Sequence, residues 1–173
     1  MAGVKVILIT GVMAAGKSTV AQGLAERLPR SVHVRGDVFR RMVVNGRAEM
    51  TPDQAEESRR QLHLRYRLAA ITADEYVAAG FTAIMQDVIL GQDLTVVTEM
   101  IRSRPLLVVV LAPSPETVAQ REAGRAKKGY GDWTVEQLDA GLRAETPRVG
   151  LWLDTTRQTP DETVDAILRH ADL

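Results

Sequence analysis

Apolar and polar positions along the chain change period block by block. Val4-Lys5-Val6-Ile7-Leu8-Ile9-Thr10 is a β-branched apolar run of strand length. Beyond Ser18, apolar Val20, Leu24 and Leu28 recur every four residues, the stripe of a helix lying on a sheet. Pro29 and Arg30 break that stripe, and Ser31-Val32-His33-Val34 reads as a short second strand. No strand pattern interrupts residues 38–80. There Thr51-Pro52-Asp53-Gln54 predicts a helix start, with Thr as cap, Pro in the first position and Gln in the capping-box position. Leu62, Tyr66, Ala69, Ala73 and Tyr76 keep helical spacing until Gly80 supplies a stop.

Residues 81–87 predict a third strand, and helix-like residues continue to about Arg102. The unbroken apolar run Leu106-Leu107-Val108-Val109-Val110-Leu111 suits a strand covered on both faces of a parallel sheet. Ser114-Pro115 opens another helix, a capping box at Thr134 and Gln137 opens one reaching about Arg143, and residues 151–155 predict a fifth strand. Thr159-Pro160-Asp161-Glu162 opens a last helix with Val164, Ile167 and Leu168 as its apolar face. Strands alternating with helices predict an α/β fold with a parallel sheet.

Between the first strand and the first helix stands Gly11-Val12-Met13-Ala14-Ala15-Gly16-Lys17-Ser18, followed by Thr19. This is the phosphate-binding loop pattern in its proper strand–loop–helix context. Unpaired amides and the helix dipole draw polyphosphate to such a turn, and glycines keep the approach open. Gly11, Met13, Ala14, Ala15, Gly16, Lys17, Ser18 and Thr19 are therefore the expected ATP contacts. Lys17 is expected to bridge the β- and γ-phosphates, and the Ser18 hydroxyl to ligate Mg²⁺.

Ligands of an open parallel sheet gather beyond the carboxyl ends of its strands. Asp37 follows the second strand there. It is expected to accept the proton of an attacking substrate hydroxyl, and it also suits a helix N-cap. Arg40, three residues on, shares its helix face and is expected to face substrate. Asp87 ends the third strand, where it can hold magnesium through water, bind the acceptor or cap the turn at Gly91. Arg121 and Arg125 lead into Lys127-Lys128-Gly129-Tyr130-Gly131, a basic, glycine-containing segment expected to close over ATP as a lid spanning residues 121–133. A solvated turn between helices is the plainer alternative. Trp133 suits a latch or core packing, and Arg157 lies near where an adenine ring can rest. Lys17, Asp37 and Arg125 are the expected catalytic residues. His63, alone on its helix, is expected to be structural.

Composition narrows the partner. The chain has 173 residues with 45% hydrophobic and 25% charged, values of a globular protein expected to form one domain. Lys plus Arg and Asp plus Glu each number 22, so no net field recommends nucleic acid or an anionic membrane. A small-molecule partner is expected. Cysteine is absent, which excludes disulfides, thiolate metal sites and cysteine nucleophiles. No export pattern and no apolar run of about 18 residues is visible, so a cytoplasmic enzyme is expected.

Taken together, the phosphate loop, Gly36-Asp37, the basic segment around Arg121 and Arg125, and the stretch Leu153-Asp154-Thr155-Thr156 with Thr159-Pro160-Asp161-Glu162-Thr163-Val164 resemble a small P-loop kinase. The likeness covers essentially the whole chain and is similar to the chloramphenicol phosphotransferase and gluconate/shikimate kinase group. That resemblance implies a three-layer P-loop fold, a five-stranded parallel sheet of order 2-3-1-4-5, a helical acceptor region at residues 38–80 and a short lid. It also implies a base at Asp37. Where chloramphenicol phosphotransferase-like chains tend to carry two acids, this one has Gln86 and Asp87, so the acceptor hydroxyl stays open: antibiotic, sugar or metabolite. A nucleotide or sugar-nucleotide kinase and a nucleotide-hydrolysing switch are the other readings, the latter without a guanine-specificity motif.

Overall fold

The computed structural model describes residues 3–53, 55–126 and 130–173. Five strands, β1 (Val6–Thr10), β2 (Ser31–Arg35), β3 (Thr82–Gln86), β4 (Leu106–Leu111) and β5 (Leu151–Leu153), form one sheet. Its order is β2-β3-β1-β4-β5, and every pairing is parallel. The helices are α1 (Lys17–Arg27), α2 (Gly36–Met42), α3 (Glu56–Ala78), α4 (Asp93–Met100), α5 (Pro115–Ala123), α6 (Val135–Ala140) and α7 (Pro160–Ala171). Residues Gly141–Glu145 continue α6 as a π-helical turn.

Strand order dictates which face each helix takes. The connection from β1 to β2 runs one way along the sheet, while those from β2 to β3 and β3 to β4 run the other way. Right-handed crossovers then place α1 opposite α3 and α4. The packing agrees, with α1 against α7 and α3 against α4. Central β1 is buried along its whole length, as are the inner residues of β4, so both strands read as continuous apolar runs. Val20, Ala21 and Leu24 of α1 and Tyr66, Ala69, Ala70 and Ala73 of α3 supply the two helical layers of the core.

Ser and Thr capping signals held at three helices and failed at one. Ser114, Thr134 and Thr159 each accept a backbone N–H with the side-chain oxygen, the latter two in reciprocal capping boxes. α3 instead begins at Glu56, not at Thr51. The Thr51 hydroxyl donates to the Asp53 carboxylate, a local bond that competes with capping and folds residues 51–53 into a turn. Gln54 lies outside the described residues.

At α7 the Thr159 hydroxyl accepts the Glu162 N–H at 3.2 Å, and the Glu162 carboxylate accepts the Thr159 N–H at 2.8 Å. Thr159→Ala is expected to cost about 1 kcal/mol. In a thermal melt this lowers the midpoint by roughly 2–4 °C. An unchanged midpoint refutes the cap's contribution.

Candidate active site

From Thr10 the chain turns sharply into α1. Gly16 takes φ 93 and Ala14 takes φ 64. Left-handed residues among right-handed neighbours turn successive N–H groups to one side, the concavity that cradles anions. Glycine adopts that conformation freely, whereas Ala14 carries a strain of ~1–3 kcal/mol, kept where the loop has work to do. The Lys17 side chain folds back over the loop, and its Nζ donates to the Val12 carbonyl at 2.7 Å. Burial pushes the Lys17 ammonium down, the Asp87 carboxylate opposes that, and Arg125 and Arg65 add to it, leaving a pKa of about 8. Lys17 is thus charged at neutral pH. Ser18 and Thr19, in the first turn of α1, are exposed.

Asp87 is the buried anion that balances this end of the sheet. Arg65 of α3 holds it with both arms of its guanidinium: Nε donates to Oδ2 at 2.6 Å and Nη2 to Oδ1. Burial works against the charge on Arg65, and Asp87 outweighs it, raising the guanidinium above its ordinary value. The Val88 N–H also donates to Oδ1, at 2.7 Å. A third neighbour is backbone. A Cβ built on Gly36 would stand 1.8 Å from Asp87 Oδ2, so the residue before Asp37 must be glycine for the carboxylate to fit.

Asp37, the second residue of α2, has its side chain 44% exposed and does not cap the helix. Arg40 Nε donates to its Oδ1 at 2.9 Å, and Arg41 Nε lies 3.0 Å from its Oδ2. Partial burial raises the Asp37 carboxyl, but the Arg40 hydrogen bond and the charges of Arg40, Arg41 and Arg65 outweigh it, so the group lies below the usual carboxylate range. Arg40 also reaches Glu49, so it ties α2 to the segment ahead of α3.

Residues flanking the basic segment also reach the phosphate loop. Arg121 donates to the Ala15 carbonyl at 3.5 Å and to the Thr155 carbonyl at 3.2 Å, bridging the phosphate loop to the turn that carries Arg157. Arg125 pairs with Glu122 at 2.9 Å. Lys127, Lys128 and Gly129 lie outside the described residues. On their far side, the Tyr130 hydroxyl donates to the Met13 carbonyl at 2.9 Å, and Trp133 Nε1 donates to the Met50 carbonyl at 3.1 Å. One short stretch therefore grips both the phosphate loop and the segment before α3. His63 Nε2 stands 2.9 Å from Asp93 Oδ1, tying α3 to α4.

Sequence reasoning missed Arg65 and Tyr130. Arg65 borders the apolar stripe of Leu62, Tyr66 and Ala69, and a carboxylate at the end of a buried strand requires a cation. Tyr130, an aromatic between two glycines, had no periodicity to mark its burial. Both Asp87 oxygens are occupied by Arg65, an arrangement sequence spacing does not reveal.

The AAA domain family AAA_33 matches residues 6–147, which span β1, the phosphate loop, Asp37, Asp87 and the basic segment. The chain belongs to that family. A UPF0200 protein of Aeropyrum pernix is 28% identical, over 77% of this chain and 71% of that protein. Two solved structures share the architecture of this AAA_33 chain. One is a sugar kinase from Janibacter sp. HTCC2649, 21% identical, covering 98% of this chain and 95% of that one with a TM-score of 0.71. The other is the APS kinase of Mycobacterium tuberculosis in complex with AMPPNP and APS, 16% identical, covering all of both chains (100% and 100%) with a TM-score of 0.74. The sheet order and these likenesses establish the P-loop kinase fold.

The donor set fits a magnesium nucleotide. Among the described residues no cluster of three or more His, Asp or Glu side chains suits a metal. A cation here would rely on phosphate oxygens, water and the Ser18 hydroxyl, the ligation Mg²⁺ prefers. No helix among the described residues is long and apolar enough to cross a membrane.

Removing Arg65 strands the Asp87 charge in the interior. Arg65→Met is expected to lose about 3–5 kcal/mol in urea unfolding, and adding Asp87→Leu to recover part of it. A double variant no more stable than Arg65→Met would refute this coupling.

Proposed function

We propose that the protein is an ATP-dependent phosphotransferase that moves the γ-phosphoryl group of Mg–ATP to a hydroxyl of a small molecule. One observation carries the reading. Gly36, adjacent to Asp37, packs against Asp87, whose charge acts on Lys17, which supports an acceptor-side carboxylate standing near the phosphate loop.

In this reading the loop residues Gly11 to Thr19 hold the phosphates, Lys17 bridges the β- and γ-groups, and Ser18 shares in binding Mg²⁺. Arg121 and Arg157 border the nucleotide, and Arg125, whose charge acts on Lys17, faces the transferring group. The acceptor lies against residues 38–80. Its hydroxyl oxygen attacks the γ-phosphorus, the bond to the β-phosphate bridging oxygen breaks, and the hydroxyl proton passes to Asp37. Arginines make Asp37 a weak base, which a loose, dissociative transition state tolerates because positioning and charge stabilisation dominate. Arg40 aims Asp37 at the acceptor, and Asp87 shapes the floor between the two halves.

Incubation with Mg–ATP and a panel of antibiotics, sugars, nucleosides and metabolites is expected to yield one product heavier by a phosphate group in mass spectrometry. Asp37→Asn should slow that transfer about 10²–10⁴-fold while nucleotide affinity changes little. Wild-type transfer by Asp37→Asn would remove Asp37 from the mechanism. Rapid ADP release that no acceptor accelerates would replace the kinase with a hydrolytic switch.

Lys17 sets a pH dependence. Below about pH 8 its ammonium faces the phosphates, and above that value binding must take up a proton. AMPPNP affinity by calorimetry should therefore fall as pH rises from about 7 to about 9.5, by up to tenfold per unit. A flat profile would contradict a low Lys17 pKa.

A further inference from the structure

Helix α3 buries one face and leaves the opposite one apolar. Tyr66, Ala69 and Ala73 are buried against the sheet. At 100° per residue, Leu64, Leu68 and Ile71 fall on the side turned away from it, 39%, 38% and 45% exposed. They follow a spacing of four and then three, the seam of a helix that packs on another helix. Contiguous aliphatic exposure of this kind marks an interaction surface, whereas scattered single residues do not.

We propose that this outward face of α3 is a homodimer interface, with α3 packed antiparallel on α3 of a second copy about a two-fold axis passing between Arg67 and Leu68. The charge pattern selects a second copy as the occupant. In a two-fold interface residue i meets j and j meets i, so the patch must complement itself. Leu64 and Ile71 are equidistant in sequence from the axis and meet each other. Arg60 and Glu75 are equidistant too, both exposed and both on the outward face, so each end of the seam is closed by an opposite-charge pair. Leu68, beside the axis, meets Leu68 of the second copy, while Arg67 lies on the flank of the seam with its charged end in water. Arg60 already holds Glu57 at 2.7 Å, but that pair is exposed and easily shared. The helix has 23 residues, about 35 Å of length along which to build the contact.

The absence of cysteine makes a clean test available. Light scattering and sedimentation should show a dimer that dissociates on dilution. Leu68→Lys should give a monomer whose circular dichroism and melting midpoint match the wild type at matched low concentration. Arg60→Glu should weaken the dimer at least about tenfold, and adding Glu75→Arg should restore it. Leu68→Cys should cross-link under mild oxidation far faster than Glu99→Cys, a control on α4. A wild-type monomer at a few hundred micromolar would overturn the proposal. So would a charge-swapped double variant no tighter than Arg60→Glu, whatever the fate of Leu68→Lys. None of these readouts involves phosphotransfer, so the interface and the enzymatic reading stand or fall separately.

Discussion

A carboxylate buried at the ligand-binding edge of a parallel sheet has to be neutralised, and much of this molecule follows from how Asp87 meets that need. Its charge is shared between the phosphate-loop lysine and an arginine delivered by the long helix α3. The same carboxylate presses on the backbone of Gly36 and so fixes the start of α2, where Asp37 sits. One ion pair thereby ties together β1's loop, the end of β3, the start of α2 and the middle of α3. Without Asp87, Lys17 would be left with burial, Arg125 and Arg65, all of which lower its pKa.

Helix α3 is accordingly more than a connection between β2 and β3. Arg65 and Tyr66, adjacent on the chain, both act on the turn after β3: the arginine on Asp87, and the tyrosine hydroxyl on the Val88 carbonyl at 2.7 Å. From the other side Thr10 accepts the Ile89 N–H at 2.9 Å and donates to its carbonyl at 2.8 Å. Lower on the helix, Asp74 accepts the backbone N–H groups of Arg102 and Ser103, anchoring the approach to β4. The segment that follows β3 is pinned at every polar group named, so the Asp87 carboxylate holds its position against the loop.

The fold was legible because its signals are local. A β-branched run, a glycine loop and a four-residue stripe declare β1, the phosphate loop and α1, and caps at Ser114, Thr134 and Thr159 declare three later helices. The strand order was legible only through resemblance, since periodicity does not say which strand neighbours which. Thr51 misled because a hydroxyl two residues from an aspartate has a closer partner than a helix amide. In the site, the phosphate loop and Asp37 could be placed from the strand ends alone. The partners of Asp87 and Arg40 could not, because Arg65 and Glu49 arrive from elements whose approach is set by tertiary packing.

The two contacts made by Tyr130 and Trp133 share a property that bears on how such a chain changes over time. Each hydrogen bond ends on a main-chain carbonyl, at Met13 and at Met50. The residues gripped can therefore be exchanged for others while the grip persists, provided the backbone path is kept. Variation at positions 13 and 50 is free to retune what those side chains touch, while drift at 130 and 133 removes the donors themselves.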